Sequence, residues 1–177
     1  QRQTNNTDAY QLYLKGRYCW QQRGHGLKKG SFYFELALLE DPNYALAYSG
    51  LADTYNLLGF YGHVSPTEAG PKARSSALKA LEVGPGLAEA HSSLGFARFI
   101  YDWDWARAEK DFQAAIQLNG RYAPARNWYA RLLSAIGSHE KAIAEDQRAI
   151  EIDPISSYTH MHLGWLLVGA RRYDEAI

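Results

Sequence analysis

Three small groups of side chains in this 177-residue chain could do chemistry. Cys19 has His25 nearby in sequence, the pair of residue types from which a thiolate nucleophile and its base are made. His160 and His162 offer imidazole nitrogens of the kind that bind zinc. Asp102 and Asp104 flank Trp103, and paired carboxylates can divide the roles of general acid and general base. Each group also has a plainer reading. A single cysteine on an apolar helix behaves as a small buried hydrophobe. Histidines two apart lie on different faces of a helix and do not share a metal. The two aspartates fit a turn that caps a helix beginning near Trp105, with the tryptophans filling the elbow. No glycine-rich phosphate loop is present, and no strand precedes one. The chain is therefore read as non-catalytic, with no cofactor and no metal.

The elements that would position such groups come next. Lysine plus arginine equals aspartate plus glutamate at 19 each, so the net charge is zero, and 46% of residues are hydrophobic. That composition supports a continuous core and lacks the basic surplus of a dedicated nucleic-acid binder. One cysteine excludes an internal disulfide. No apolar run approaches the ~20 residues of a membrane span. Residues 1–8 are polar and read as a frayed linker, with no signal peptide. Residues 1–34 carry Arg2, Lys15, Arg17, Arg23, Lys28 and Lys29 against Asp8 alone. This basic end is read as a solvated helix face rather than as a surface for DNA, lipid or an acidic domain.

Internal repetition decides the fold. Asp41-Pro42-Asn43-Tyr44-Ala45, Gly84-Pro85-Gly86-Leu87-Ala88, Asn119-Gly120-Arg121-Tyr122-Ala123 and Asp153-Pro154-Ile155-Ser156-Ser157 each stop one helix and open another. From Ala45 to Ala88 is 43 residues, from Ala88 to Ala123 is 35, and from Ala123 to Ser157 is 34. A further unit begins near Ala9. Each unit reads as two helices. The first carries a bulky residue followed by a small one: Lys15-Gly16, Leu51-Ala52, Leu94-Gly95, Tyr129-Ala130 and Leu163-Gly164. The second carries small residues two turns apart, such as Ala108 and Ala115, with Phe34, Ala77, Phe112 or Asp146 between them. Asp146 is the one that does not suit a core, and a local exception is expected there.

The units differ in length. The first hairpin turn, Arg23-Gly24-His25-Gly26, is two residues longer than the regular fourth. The second unit has nine extra residues around Gly59 to Ala69, including a capping box at Ser65-Pro66-Thr67-Glu68, and Pro71 predicts a kink or a late helix start. The third has one extra residue at Asp102 to Trp105.

The pattern resembles the tetratricopeptide repeat, whose unit is 34 residues. The resemblance covers nearly the whole chain, as units of about 9–44, 45–87, 88–122, 123–156 and an incomplete 157–177. It implies an all-α fold: a right-handed superhelical array of antiparallel helical hairpins, an α-solenoid of about ten helices. Leu14 to Trp20, Gly26-Leu27-Lys28-Lys29 and the run Tyr101 to Ala106 resemble the repeat region of bacterial multidomain regulators. There a winged-helix, Ser/Thr kinase or nucleotide-cyclase domain precedes the repeats. That likeness implies a protein-binding or sensory module of a signalling or transcription regulator. A standalone scaffold or assembly protein is the alternative.

In such arrays the first helices line the concave face, and ligands lie there. The positions this implies are Tyr10, Tyr13, Arg17, Asp53, Asn56, Phe96, Asn127, Arg131, Tyr158 and Met161. Aromatic residues and arginine anchor interfaces. Trp20, Phe99 and Trp165 are equally readable as groove or as core. The lysine–asparagine clamp of chaperone-binding relatives is not reproduced, since Tyr13 and Arg17 stand in its first-unit positions. The expected partner is a protein or peptide segment, including an upstream domain of the same chain. No direct nucleic-acid contact and no membrane span are expected. The end at Ile177 leaves Leu163, Leu166 and Leu167 short of cover, so a next repeat, a capping helix or a second copy is expected there. The expected compartment is cytoplasmic, or periplasmic if a membrane span precedes the repeats.

Overall fold

The computed structural model describes residues 4–177; Arg2 and the first three residues of the expected linker lie outside the described residues. The chain forms nine α-helices among the described residues, and no strand. They are α1 Thr7–Gln21, α2 Gly26–Glu40, α3 Ala45–Phe60, α4 Pro66–Val83, α5 Ala88–Ala97, α6 Trp105–Leu118, α7 Ala123–Ala135, α8 His139–Ile152 and α9 Ser157–Gly169. A π-helical turn, Arg98–Asp102, extends α5, and a 3-10 turn, Tyr173–Glu175, stands where a tenth helix would start. Successive pairs α1/α2, α3/α4, α5/α6 and α7/α8 are hairpins, and each packs on the next. The result is a solenoid of hairpins.

The four corners between units are chemically the same. The amides of Asp41, Gly84, Asn119 and Asp153 each donate to the carbonyl four residues back, at Ala37, Ala80, Ala115 and Ala149. Three residues later the amides of Tyr44, Leu87, Tyr122 and Ser156 close the turn onto those corner residues, at 3.1, 3.1, 3.1 and 3.3 Å. These bonds satisfy carbonyls that a helix end leaves open. The turns inside units also repeat. Gly62, Gly137 and Arg171 hold φ of 73°, 81° and 62° at the same place after α3, α7 and α9. That left-handed geometry suits glycine and strains arginine.

Small residues set the approach of helices. A Cβ added to Gly16 or to Gly50 would lie 2.6 Å from the ring of Phe34. The phenyl of α2 thus fills a notch made by the first helices of its own unit and of the next. Phe112 sits against Gly95 in the same manner, where an added Cβ would meet its ring at 3.0 Å. Both phenylalanines are buried.

Several expectations require correction. Thr4 to Asp8 are tied down: Thr4 Oγ1 donates to Asp41, and Asn6 caps α1 by accepting from the amides of Asp8 and Ala9. Ser65 is the N-cap of α4 but makes no side-chain cap bond; its hydroxyl meets Thr67 Oγ1 at 3.0 Å instead. α4 starts at Pro66 and runs through Pro71. Pro71 and Thr67 are exposed, so the Thr67 carbonyl that loses its amide partner can turn to water. Asp104 does cap α6, accepting from the Arg107 amide at 3.1 Å. Trp103 and Trp105 do not fill the elbow: Trp103 is 74% exposed, and the two rings stack on each other on the surface. The elbow is filled by Tyr101.

The extra residue of the third unit is absorbed by the π turn, the usual form of a one-residue insertion in a helix. This turn sends Tyr101 back onto the second unit. Its hydroxyl donates to the Asn56 carbonyl at 2.7 Å. A Cβ on Gly59 would lie 2.3 Å from its hydroxyl, and one on Gly70 2.9 Å from its ring. Burial pushes its hydroxyl pKa up to about 12.

Candidate protein-interaction groove

A concavity of about 1020 Å³ opens between the first unit and the fourth and fifth. α1 supplies Arg17 and Trp20, the α1–α2 turn Arg23, and the turn after α3 Tyr61. Pro124, Asn127 and Trp128 come from α7, and Ile155, Tyr158 and Met161 from the last corner and α9.

Its centre is a set of guanidinium groups on aromatic rings. Arg17 lies 4.5 Å and Arg23 3.9 Å from the centre of the Trp20 ring. Arg23 also stands 5.2 Å from the ring of Tyr158, so the first unit reaches the fifth across the opening. Arg131 lies 4.9 Å from the Phe60 ring and donates to the Tyr158 hydroxyl at 3.4 Å. Such contacts fix long cationic side chains in place and are worth up to ~2 kcal/mol when desolvated.

Beneath Arg17 is a buried acid. Asp53 takes the Arg17 guanidinium at 3.4 Å and the Ser93 hydroxyl at 2.5 Å. Burial raises the Asp53 pKa to about 6, against the lowering effects of Arg17 and Ser93. The Arg17 pKa is held above its ordinary value; burial opposes this and Tyr122, Tyr13 and Asp53 overcome it. Burial lowers the pKa of Arg23.

The ten expected groove residues divide. Arg17, Tyr158 and Met161 line the groove, and Arg131 braces it. Tyr10 and Tyr13 face a separate hollow of about 730 Å³ with Leu46 and Glu89. Tyr13 also packs on Phe34 and Tyr44, with ring centres 5.8 and 5.2 Å away. The other four are buried and do not project freely. Asp53 underlies Arg17. Asn56 donates to the Ser93 carbonyl at 2.8 Å. Phe96 packs on Trp128 at 4.7 Å and on Phe60 at 5.9 Å. Asn127 touches the groove wall, but its amide donates to Asp146 at 2.6 Å. The reason is that each middle first helix is covered by its own hairpin partner and by the first helices on either side. Phe99 is core, Trp20 is packed in the core and also lines the groove, and Trp165 is exposed.

Asp146 is the local exception foreseen at its position, and its neighbours explain it. It is buried, accepts from Asn127, and meets His162 Nδ1 at 2.8 Å. His160 lies on another face, exposed, with Nε2 at 2.9 Å from the Pro154 carbonyl. Cys19 is buried. Among the described residues no group of three or more His, Cys, Asp or Glu side chains is placed to hold a metal, and no helix is long and apolar enough to cross a membrane.

Arg23, Tyr61 and Ile155 are groove residues that counting along first helices passes over. The first two stand in the lengthened turns of units one and two. Insertions in a repeat array map to loops, often on the binding face, and that is the signal that points to them.

No protein-family model matches the sequence, and no curated protein does. Solved structures do. A thermophilic TPR protein of Thermus thermophilus, TTC0263, shares 20% identity over 93% of this chain and 84% of its own, with a TM-score of 0.73. The fold is that of a tetratricopeptide array. MamA shares 26% identity over 91% of this chain and 87% of its own, with a TM-score of 0.57. YrrB, described as a TPR protein with an unusual peptide-binding site, shares 20% over 98% and 83%, with a TM-score of 0.54. The link to multidomain regulators is carried by none of these.

Proposed function

We propose that this array is a non-catalytic protein-interaction module holding an extended partner segment in its groove, and that it serves a bacterial signalling or transcription regulator. One observation carries the reading. Arg17, Trp20, Arg23, Tyr61, Tyr158 and Met161, drawn from units one, two and five, converge on a single concavity. Arginine and large aromatic residues are the types that dominate interface energies. YrrB, of the same fold, is described as having a peptide-binding site. The regulatory part rests on the likeness of Leu14 to Trp20 and Tyr101 to Ala106 to regulator repeats.

The experiment is a capture of partners from the native cell, followed by titration of variants. Arg17→Ala, Tyr158→Ala and Arg131→Ala should each weaken the partner about tenfold or more. Lys79→Ala, outside the groove, should leave partner binding unchanged. Glu145 is unsuitable as a control, because it accepts from Arg126 at 2.5 Å and from Arg148 at 2.6 Å. Partner loss through Lys79→Ala with the groove variants intact would move the site elsewhere. Identifying what wild type retains and Tyr158→Ala releases tests the rest: an assembly subunit in place of a signalling or transcription component overturns the regulatory part.

A further inference from the structure

Arg23 forms no ion pair among the described residues, and its Nη1 is buried with no hydrogen-bond partner. Asp53 acts on Arg23 electrostatically, but its oxygens are bonded to Arg17 and Ser93. Arg131 has no carboxylate partner among the described residues either. Of the charged side chains lining the groove, Arg17, Arg23 and Arg121 stand against Asp153 alone. A guanidinium held between rings with no paired counter-charge is costly. Two other buried unpartnered atoms stand in the groove wall: Trp20 Nε1, which can only donate, and the Tyr122 hydroxyl, which can donate or accept. The groove lining therefore carries an excess of positive charge and two unpartnered N–H donors.

The rest of the wall separates one anionic partner from another. A nucleobase needs a free aromatic face. Here Trp20 already carries Arg17 and Arg23, and Tyr158 carries Arg23 and the His162 imidazole, stacked at 5.9 Å and 9°. Beside the cations the wall is apolar: Pro124, Ile152, Ile155 and Met161, with Ile155 93% exposed. Polypeptide supplies apolar side chains next to carboxylates; a nucleic-acid strand does not.

We infer that the groove takes an extended acidic peptide segment, with an Asp or Glu carboxylate seated against Arg23 and flanking apolar side chains on Ile155 and Met161. Arg17 and Arg131 add positive charge beside Trp20 and Tyr158. This rests on the groove being the partner site and adds the partner's chemistry.

The test is selection from a random-peptide phage library on the whole chain, then fluorescence polarisation of a labelled winner. Winners should interleave Asp or Glu with apolar residues. Replacing the peptide's acids by Asn or Gln should weaken binding about tenfold, the scale of a lost charge-assisted hydrogen bond. Arg23→Gly should cost the same, and the fold should tolerate it, because φ at Arg23 is 54° and glycine accepts that angle. Arg23→Lys, which keeps the charge, should bind better than Arg23→Gly. Neutral or basic winners, or a winner indifferent to Arg23→Gly but lost with Tyr158→Ala, overturn the acidic partner and leave the groove standing. Winners indifferent to Tyr158→Ala and Met161→Ala as well overturn both. Polyuridylate displacing the peptide with higher affinity makes the groove a nucleic-acid site and overturns the inference.

Discussion

The imidazole Nδ1 of His162 in α9 lies 2.8 Å from Oδ2 of Asp146 in α8, and both side chains are buried. The other oxygen of Asp146 accepts from Asn127 in α7 at 2.6 Å, and Thr159 donates to Asn127 at 3.4 Å. One carboxylate thus joins the fourth unit to the fifth. Asp146→Ala strands two buried polar groups and should cost about 3 kcal/mol, the scale for breaking a buried charged contact. Asp146→Asn, which keeps an acceptor, should cost less. Urea unfolding measures both, and a loss below ~1 kcal/mol for the alanine variant contradicts this role.

Asp53 sets a pH dependence. Its folded pKa of about 6 is above the ordinary 3.8, with burial as the main cause. The folded chain holds this proton more tightly than the unfolded chain. The contribution to stability therefore falls as pH rises from about 4 to about 6. Asp53→Asn removes that loss and keeps an acceptor for Ser93. Relative to wild type, the variant should gain about 1–3 kcal/mol on going from near pH 4 to neutral pH, at ~1.4 kcal/mol per pKa unit. Denaturant midpoints of both chains at the two pH values check it. A difference that grows on acidification contradicts it.

Gly50→Ala should destabilise by about 1–3 kcal/mol, the range for overpacking a core. Its new methyl would sit 2.6 Å from the Phe34 ring. Phe34→Leu in the same chain should recover part of the loss, because the two sites share one space. Simple addition of the two single effects in thermal unfolding would show that the notch is slack.

Arg171 is exposed and holds φ at 62°, where the corresponding turns use Gly62 and Gly137. Arg171→Gly should stabilise by about 0.5–1 kcal/mol, as relief of left-handed strain outweighs the added freedom of the unfolded chain. A lowered thermal midpoint contradicts this.

The corners are legible in the sequence because they are local. A proline or glycine pair followed by an aromatic or aliphatic residue and a small one encodes the turn and the next helix at once, and each of the four stands where its residues place it. Phe34 and Phe112 are legible as core for the same reason. Which residues of the first helices reach the groove is a different kind of question. Stepping along α3, α5 and α7 at helical spacing selects Asp53, Asn56, Phe96 and Asn127, but neighbours on both sides cover these helices. Of the expected positions, those left open or half-open toward the groove are Arg17 on α1, Arg131 on α7, and Tyr158 and Met161 on α9. Arg23 depends on a positive-φ turn whose added length is visible in the sequence and whose direction is not.

The π turn of the third unit and the long loop of the second meet at Tyr101, between Gly59 and Gly70. Repeat proteins are commonly treated as strings of interchangeable parts, each touching its neighbours through a shared surface. Here two irregularities, one in each unit, form a single joint of plug and socket. A recombinant chain that took the third unit alone would carry a tyrosine with nowhere to lodge. One that took the second alone would carry two glycines facing a gap. Units two and three therefore form one heritable block, to be duplicated, shuffled or grafted as a pair.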